Sequence, residues 1–244
     1  MARFVFLFYF ISFFSISQNH VNDYGERIGL WYGYHENGVV KYEGTFHNGQ
    51  EIGEFKYYDL AGNMVINLNY LDTGVTSMAR LYSSEGFQKA VGKYVHKRKE
   101  GSWSYYNKLG KTYLKEQYQN GELNGDVIYY FNDFIVSEKY RYINNLKNGI
   151  GEVFYQSGMI SMRSYYKNGK LDGLSESYYN EKITDFDNIL DYQTGYYNKK
   201  DLLKLESIGN YNMGFKDSIW IYFSEKGDTL KVVEYNNGYI VIDK

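Results

Sequence analysis

The chain contains no cysteine and no proline. The first absence excludes disulfides, thiolate metal ligands and thiol nucleophiles together. The second suits a sheet in which most backbone N–H groups are committed to ladders. Charge of one sign is also lacking: 27 basic residues face 29 acidic ones, for a net charge of -2. Nucleic-acid readers carry basic stripes, so this balance argues against a nucleic-acid partner. There is one sustained apolar run, Phe4 to Phe14, preceded by Arg3 and followed by Ser15-Ile16-Ser17. It is shorter than the ~20 residues of a membrane span and has the layout of a secretory signal, with cleavage expected after residue 17. The expected mature chain is therefore secreted or held in a cell envelope, with no stable membrane insertion once the signal is gone.

Aromatic residues fill what remains: 30 of the 244 residues are tyrosine. They recur in register. With Gly101 as slot zero, that slot falls at Gly29, Gly53, Ser77, Gly101, Gly125, Gly151, Gly173 and Ser218, mostly 24 residues apart. Slot two holds Trp31, Phe55, Ala79, Trp103, Val127, Val153 and Trp220. Slot four holds Tyr57, Leu81, Tyr105, Tyr129, Tyr155 and Tyr222. Slot five holds Tyr34, Tyr58, Tyr82, Tyr106, Tyr130, Tyr178 and Phe223, and glycines recur at slot nine. A fixed period of this length marks a repeat array. Asn-Gly pairs occur at residues 37, 48, 120, 124, 148, 168 and 237, and such pairs favour the type I′ turns of β-hairpins. The expected fold is all-β: an elongated, single-layer antiparallel β-meander of repeated hairpins. Residues 18–27 form a lead-in, and about eight to nine repeats fill residues 28–244. Residues 182–197 break the rhythm as an insertion or a degenerate copy.

The unit G-x-W-x-x-Y-(x3)-G-x-x…Y-x-N-G-x-x-x-G resembles the variant MORN repeat of many bacterial proteins. The best matches are Gly29 to Gly53, Gly101 to Gly125 and Gly151 to Gly173. The resemblance implies a twisted β-meander serving as an interaction scaffold. It also raises an antitoxin-like or immunity-like role, which some relatives carry.

Neighbouring side chains of a strand point to opposite faces. Slots two and four therefore share one face, where Trp31, Phe55, Trp103 and Trp220 are expected as a structural aromatic column. Slot five looks out from the other face. Its tyrosines either pack as a second ladder or meet a partner. Strands about 4.8 Å apart would set Tyr34, Tyr58, Tyr82, Tyr106 and Tyr130 in a row about 40 Å long. That row is the expected binding site, since rigid rings with polar tips suit binding surfaces.

The residues for chemistry are sparse. The four histidines, His20, His35, His47 and His96, form no H-E-x-x-H pair. No G-x-S-x-G elbow or phosphate loop occurs. Asp185, Asp187 and Asp191 lack the glycine and glutamate of a calcium loop. Lys97-Arg98-Lys99 stands where an Asn-Gly turn is expected and reads as a solvated turn. No catalytic residue, metal or cofactor is expected. The expected function is a non-enzymatic protein-interaction scaffold. The alternative is an envelope carbohydrate-binding module with a glycan partner, although only Trp31-Tyr32 supplies the adjacent Trp-Tyr typical of such repeats. An outer-membrane barrel is disfavoured, because half-repeats of about 8 residues are short for a membrane strand.

Overall fold

In the computed structural model, residues 19–132, 134–180 and 203–243 are described. Residues 1–17 and 182–197, to which the signal and the insertion were assigned, lie outside them. The chain forms β1 (His20–Val21), β2 (Arg27–Tyr34), β3 (Val40–His47), β4 (Gln50–Tyr58), β5 (Met64–Tyr70), β6 (Thr76–Tyr82) and β7 (Gln88–Val95). Then come β8 (Arg98–Tyr106), β9 (Thr112–Gln119), β10 (Glu122–Leu123), β11 (Gly125–Tyr130), β12 (Val136–Ile143) and β13 (Leu146–Phe154). The series closes with β14 (Ile160–Lys167), β15 (Lys170–Tyr178), β16 (Leu205–Asn212), β17 (Phe215–Phe223), β18 (Thr229–Asn236) and β19 (Tyr239–Asp243). Each strand pairs antiparallel with the next, except that β10 and β11 both pair with β9. The result is one open 19-stranded meander. The lead-in belongs to it. Asn19 seals the first strand by donating its amide to Tyr32 O at 3.0 Å and accepting Tyr32 N–H at 2.8 Å.

One rim carries the type I′ turns, with positive φ at both central residues. These turns are Asn48-Gly49, His96-Lys97, Asn120-Gly121, Asn144-Asn145, Asn168-Gly169, Met213-Gly214 and Asn237-Gly238. Four sequence expectations change here. Asn37-Gly38, on the opposite rim, has positive φ at Gly38 alone and is not a type I′ turn. The turn in the third repeat is His96-Lys97, and Arg98 and Lys99 belong to β8. Asn124-Gly125 opens β11. Asn148-Gly149 lies inside β13, because Asn144-Asn145 has already turned the chain.

That last shift moves the register by two residues. Except at Ser77, slot zero is a bulge whose residue has left-handed backbone: φ is +67° at Gly101, +104° at Gly149 and +60° at Ser218. The bulge lengthens one strand against its neighbour, as between Tyr140 and Tyr142 of β12 and the longer stretch of β13 opposite. The slot-zero residue is therefore Gly149, not Gly151, and the 24-residue period runs unbroken from Gly29 to Gly173. Slot two is Gly151 rather than Val153, slot four is Val153, and Phe154 fills the gap in slot five. Tyr155 follows β13 and bonds the Tyr178 carbonyl at 2.8 Å.

The slot-two row is the core: Phe55, Ala79, Trp103, Val127 and Trp220 are buried, and Trp31, on the first long strand, is half-buried. A sheet of one layer has no second layer to fill its gaps, so bulk is matched between adjacent strands. Phe55 lies over Gly44, Trp103 over Gly92 and Trp220 over Gly209. A Cβ on these glycines would sit 2.3, 2.1 and 2.2 Å from the rings. Where slot two is small, the opposing residue is larger: Leu68 faces Ala79, and Tyr140 faces Gly151. Where neither is large, the buried Ser164 and Ser175 hydroxyls bond each other at 2.7 Å. Each pair is 11 residues apart and trades volume between its two strands.

Candidate functional site

The slot-five residues do not form one uniform row. Tyr34 is 55% exposed and Tyr178 is 5% exposed. Tyr58 is half-buried and donates its hydroxyl to Glu43 at 2.7 Å. Burial first, and this bond second, push its pKa up to about 12. It lines a small hollow with Val39, Val40 and Glu43. Tyr130 lies beneath the Lys115 ammonium, 5.6 Å from the ring centre. Tyr82 and Tyr106 are brought together. Both line a cavity of about 650 Å³, with Leu81, Ala90, Tyr105 and Tyr113 among the other walls.

This cavity shares one wall residue, Ile66, with a second of about 240 Å³ walled by Tyr57, Leu68, Tyr70 and Tyr94. Side by side, the two make an apolar trough across β4 to β9. The third repeat explains it. Its slot two is Ala79 and its slot four is Leu81, where neighbouring copies place aromatics. Ala90 pairs with both Leu81 and Tyr105. Small residues in the middle of an aromatic face leave a depression with aromatic walls.

The polar groups beside the trough are mutually engaged. Tyr105 donates its hydroxyl to Glu116, and Tyr118 does so at 2.8 Å. Lys99 donates to Tyr118 at 3.2 Å and lies 4.8 Å from the Trp103 ring centre. Burial, reinforced by Glu116, holds Tyr105 well above the usual tyrosine range and raises Tyr118 to about 12. Burial pulls the Lys99 pKa down, against the opposing charge of Glu116. The arrangement recurs. Arg27, Lys99, Lys147 and Lys216, each two residues before slot zero, lie 3.8, 4.8, 3.1 and 4.2 Å from the ring centres of Phe46, Trp103, Tyr140 and Trp220. These cation–π contacts hold the aromatic face. The sequence reading missed them because it placed Lys99 in a turn.

Among the described residues no three His, Cys, Asp or Glu side chains are grouped to hold a metal. Asp185, Asp187 and Asp191 lie outside those residues. His35 bonds the Tyr58 carbonyl at 2.9 Å, linking successive turns, and His96 sits in its type I′ turn. No described helix is long and apolar enough to cross a membrane.

No family model matches the chain, and no curated protein matches it. Among solved structures, one similar chain is described as the crystal structure of TcdB2-TccC3-TEV. It is 11% identical, with a TM-score of 0.23; the match covers 88% of this chain and 13% of that one.

Proposed function

We propose that the chain is a non-enzymatic protein-interaction scaffold of the cell envelope or the secreted fraction. It binds a partner protein in the trough that Tyr82 and Tyr106 border. The observation that carries this reading is the trough itself: apolar, aromatic-walled, and located where the repeat departs from its own pattern. Concave apolar sites with a few polar groups are the usual places for ligands. Aromatic anchors often dominate binding energy. The resemblance of the Gly101 to Gly125 unit to the variant MORN repeat supports a scaffold, and an antitoxin-like or immunity-like role is a narrower form of it. The run from Phe4 to Phe14 supports secretion.

The test replaces Tyr82 and Tyr106 together by Ser and compares partner capture from an envelope extract with the melting midpoint. Lost capture with melting preserved is expected. Unchanged capture by an equally stable variant would refute the site, and binding confined to a glycan array would give the carbohydrate-binding reading instead. The captured material also reports the compartment: the chain should begin near Gln18, and an intact Met1 on the envelope product would refute the signal.

A further inference from the structure

We infer that the trough takes an extended acidic segment of the partner: an aromatic or branched aliphatic side chain enters the larger cavity, and a neighbouring carboxylate meets Lys89. This rests on the proposed binding role of the trough and names the chemistry of its occupant.

Charge is the first argument. The larger cavity is lined by two charged residues, Lys89 and Lys108, and by no carboxylate. Lys108 is committed, with its ammonium 3.0 Å from Glu85. Lys89 is exposed on β7 and makes no ion pair among the described residues. At the smaller cavity Lys97 is already held by Glu51 at 3.2 Å. One uncommitted cation thus stands at an apolar pocket. The chain as a whole carries a net charge of -2, so attraction for an acidic ligand is local to this place.

Polar valence is the second argument. A sugar needs side chains that exchange paired hydrogen bonds with its hydroxyls. The one carboxamide in the lining is Asn107. Its oxygen already accepts the Leu109 and Lys111 N–H groups at 2.9 and 3.0 Å. The Tyr105 hydroxyl is already committed to Glu116. The Tyr82, Tyr106 and Tyr113 hydroxyls offer single polar tips, and the rest of the lining offers apolar area and one positive charge, which suits an apolar side chain and an acid better than a ring of sugar hydroxyls. Successive residues of an extended peptide advance about 3.3 Å. An anchor and an acid one or two places apart would therefore reach both features.

The probe is a random heptapeptide phage library selected on the immobilised full chain. Aromatic or aliphatic residues next to Asp or Glu should be enriched. A synthetic peptide carrying the consensus should bind Lys89→Glu at least about fivefold more weakly, with the gap narrowing in high salt. Selection on Lys89→Glu should turn toward Lys and Arg. Lys89 is exposed, so this variant should melt with the wild type. Peptides with apolar anchors but no acidic preference, equally bound by Lys89→Glu, would overturn the inference and leave the trough as the binding site. Peptides whose binding survives Tyr82→Ser/Tyr106→Ser in a folded variant would overturn both. Glycan binding that competes with no peptide would overturn the peptide as occupant.

Discussion

Exchanging the sizes of residues 92 and 103 tests how the sheet is packed. Trp103 is fully buried over Gly92, donates its indole N–H to the Lys93 carbonyl at 3.2 Å, and lies under the Lys99 ammonium. Trp103→Ala removes the largest ring of its cluster and should cost about 3–5 kcal/mol. Gly92→Leu drives a side chain into the plane of that ring and should cost about 1–3 kcal/mol or more. Independent effects would sum to about 4–8 kcal/mol in the double variant. The double variant, however, rebuilds the arrangement of Leu68 over Ala79 found one repeat earlier. It should lose about as much as Trp103→Ala alone rather than the sum, with a coupling energy of about 1–3 kcal/mol. Recovery will be partial, because the Lys93 carbonyl and the Lys99 ammonium both lose the indole. The assay is equilibrium urea unfolding followed by circular dichroism, with hydrogen exchange of the β7 and β8 amides to localise the loss. Additivity within about 0.5 kcal/mol would refute volume exchange as the packing rule.

Two further outcomes follow from groups already described. Tyr58 and Tyr118 titrate near 12 in the folded chain, against about 10 unfolded. Between these values the unfolded chain releases protons that the folded chain keeps, so stability should fall as pH rises from about 10 to about 12. Lys99 and Lys147 are lowered and act oppositely below their ordinary value, but many more tyrosines are raised, Tyr70 and Tyr140 among them. Tyrosinate absorbance should rise together with loss of the β signal; tyrosines that titrate near 10 in an intact fold would refute this. Separately, Ser218 holds φ +60° at a slot where most repeats have glycine. Ser218→Gly should raise stability by about 0.5–1 kcal/mol, and a lowered urea midpoint would count against strain at that bulge.

The periodicity in the sequence reaches a long way into this fold. Alternation along the strands places slot two on the buried face, but it does not keep slot five apart from slot four: the register shifts at Leu81/Tyr82 and Tyr105/Tyr106 fall where all four side chains line one cavity. Asn48-Gly49 and Asn168-Gly169 mark real turns. The periodicity fails at Asn148-Gly149, where the same dipeptide serves a bulge, since both a type I′ turn and a bulge demand left-handed backbone. It also says which face a slot-two residue occupies without saying how deep that face is. Depth depends on sums of volume across strands, and Leu81 and Ala90 make a trough only because Tyr57 and Tyr105 stand on either side. The glycine that lies 11 residues before each buried slot-two ring was a readable signal: Gly44 before Phe55, Gly92 before Trp103, Gly209 before Trp220. The cations two residues before slot zero were readable as well, once slot zero was known to lie within a strand.

The 11-residue pairs have a consequence for how such an array can grow or shrink. Each pair joins the second strand of one repeat to the first strand of the next, so the seam between copies runs through the middle of a fitted contact. Excising residues 77–100, one whole period, would set Leu68 against Trp103, bulk on bulk. Excising residues 53–76 would set Gly44 against Ala79 and leave a hole. Copies in this chain are therefore not exchangeable beads: a recombination event preserves the sheet only when it carries both halves of a fitted pair across the junction. The unit of inheritance is offset by half a repeat from the unit that the eye picks out.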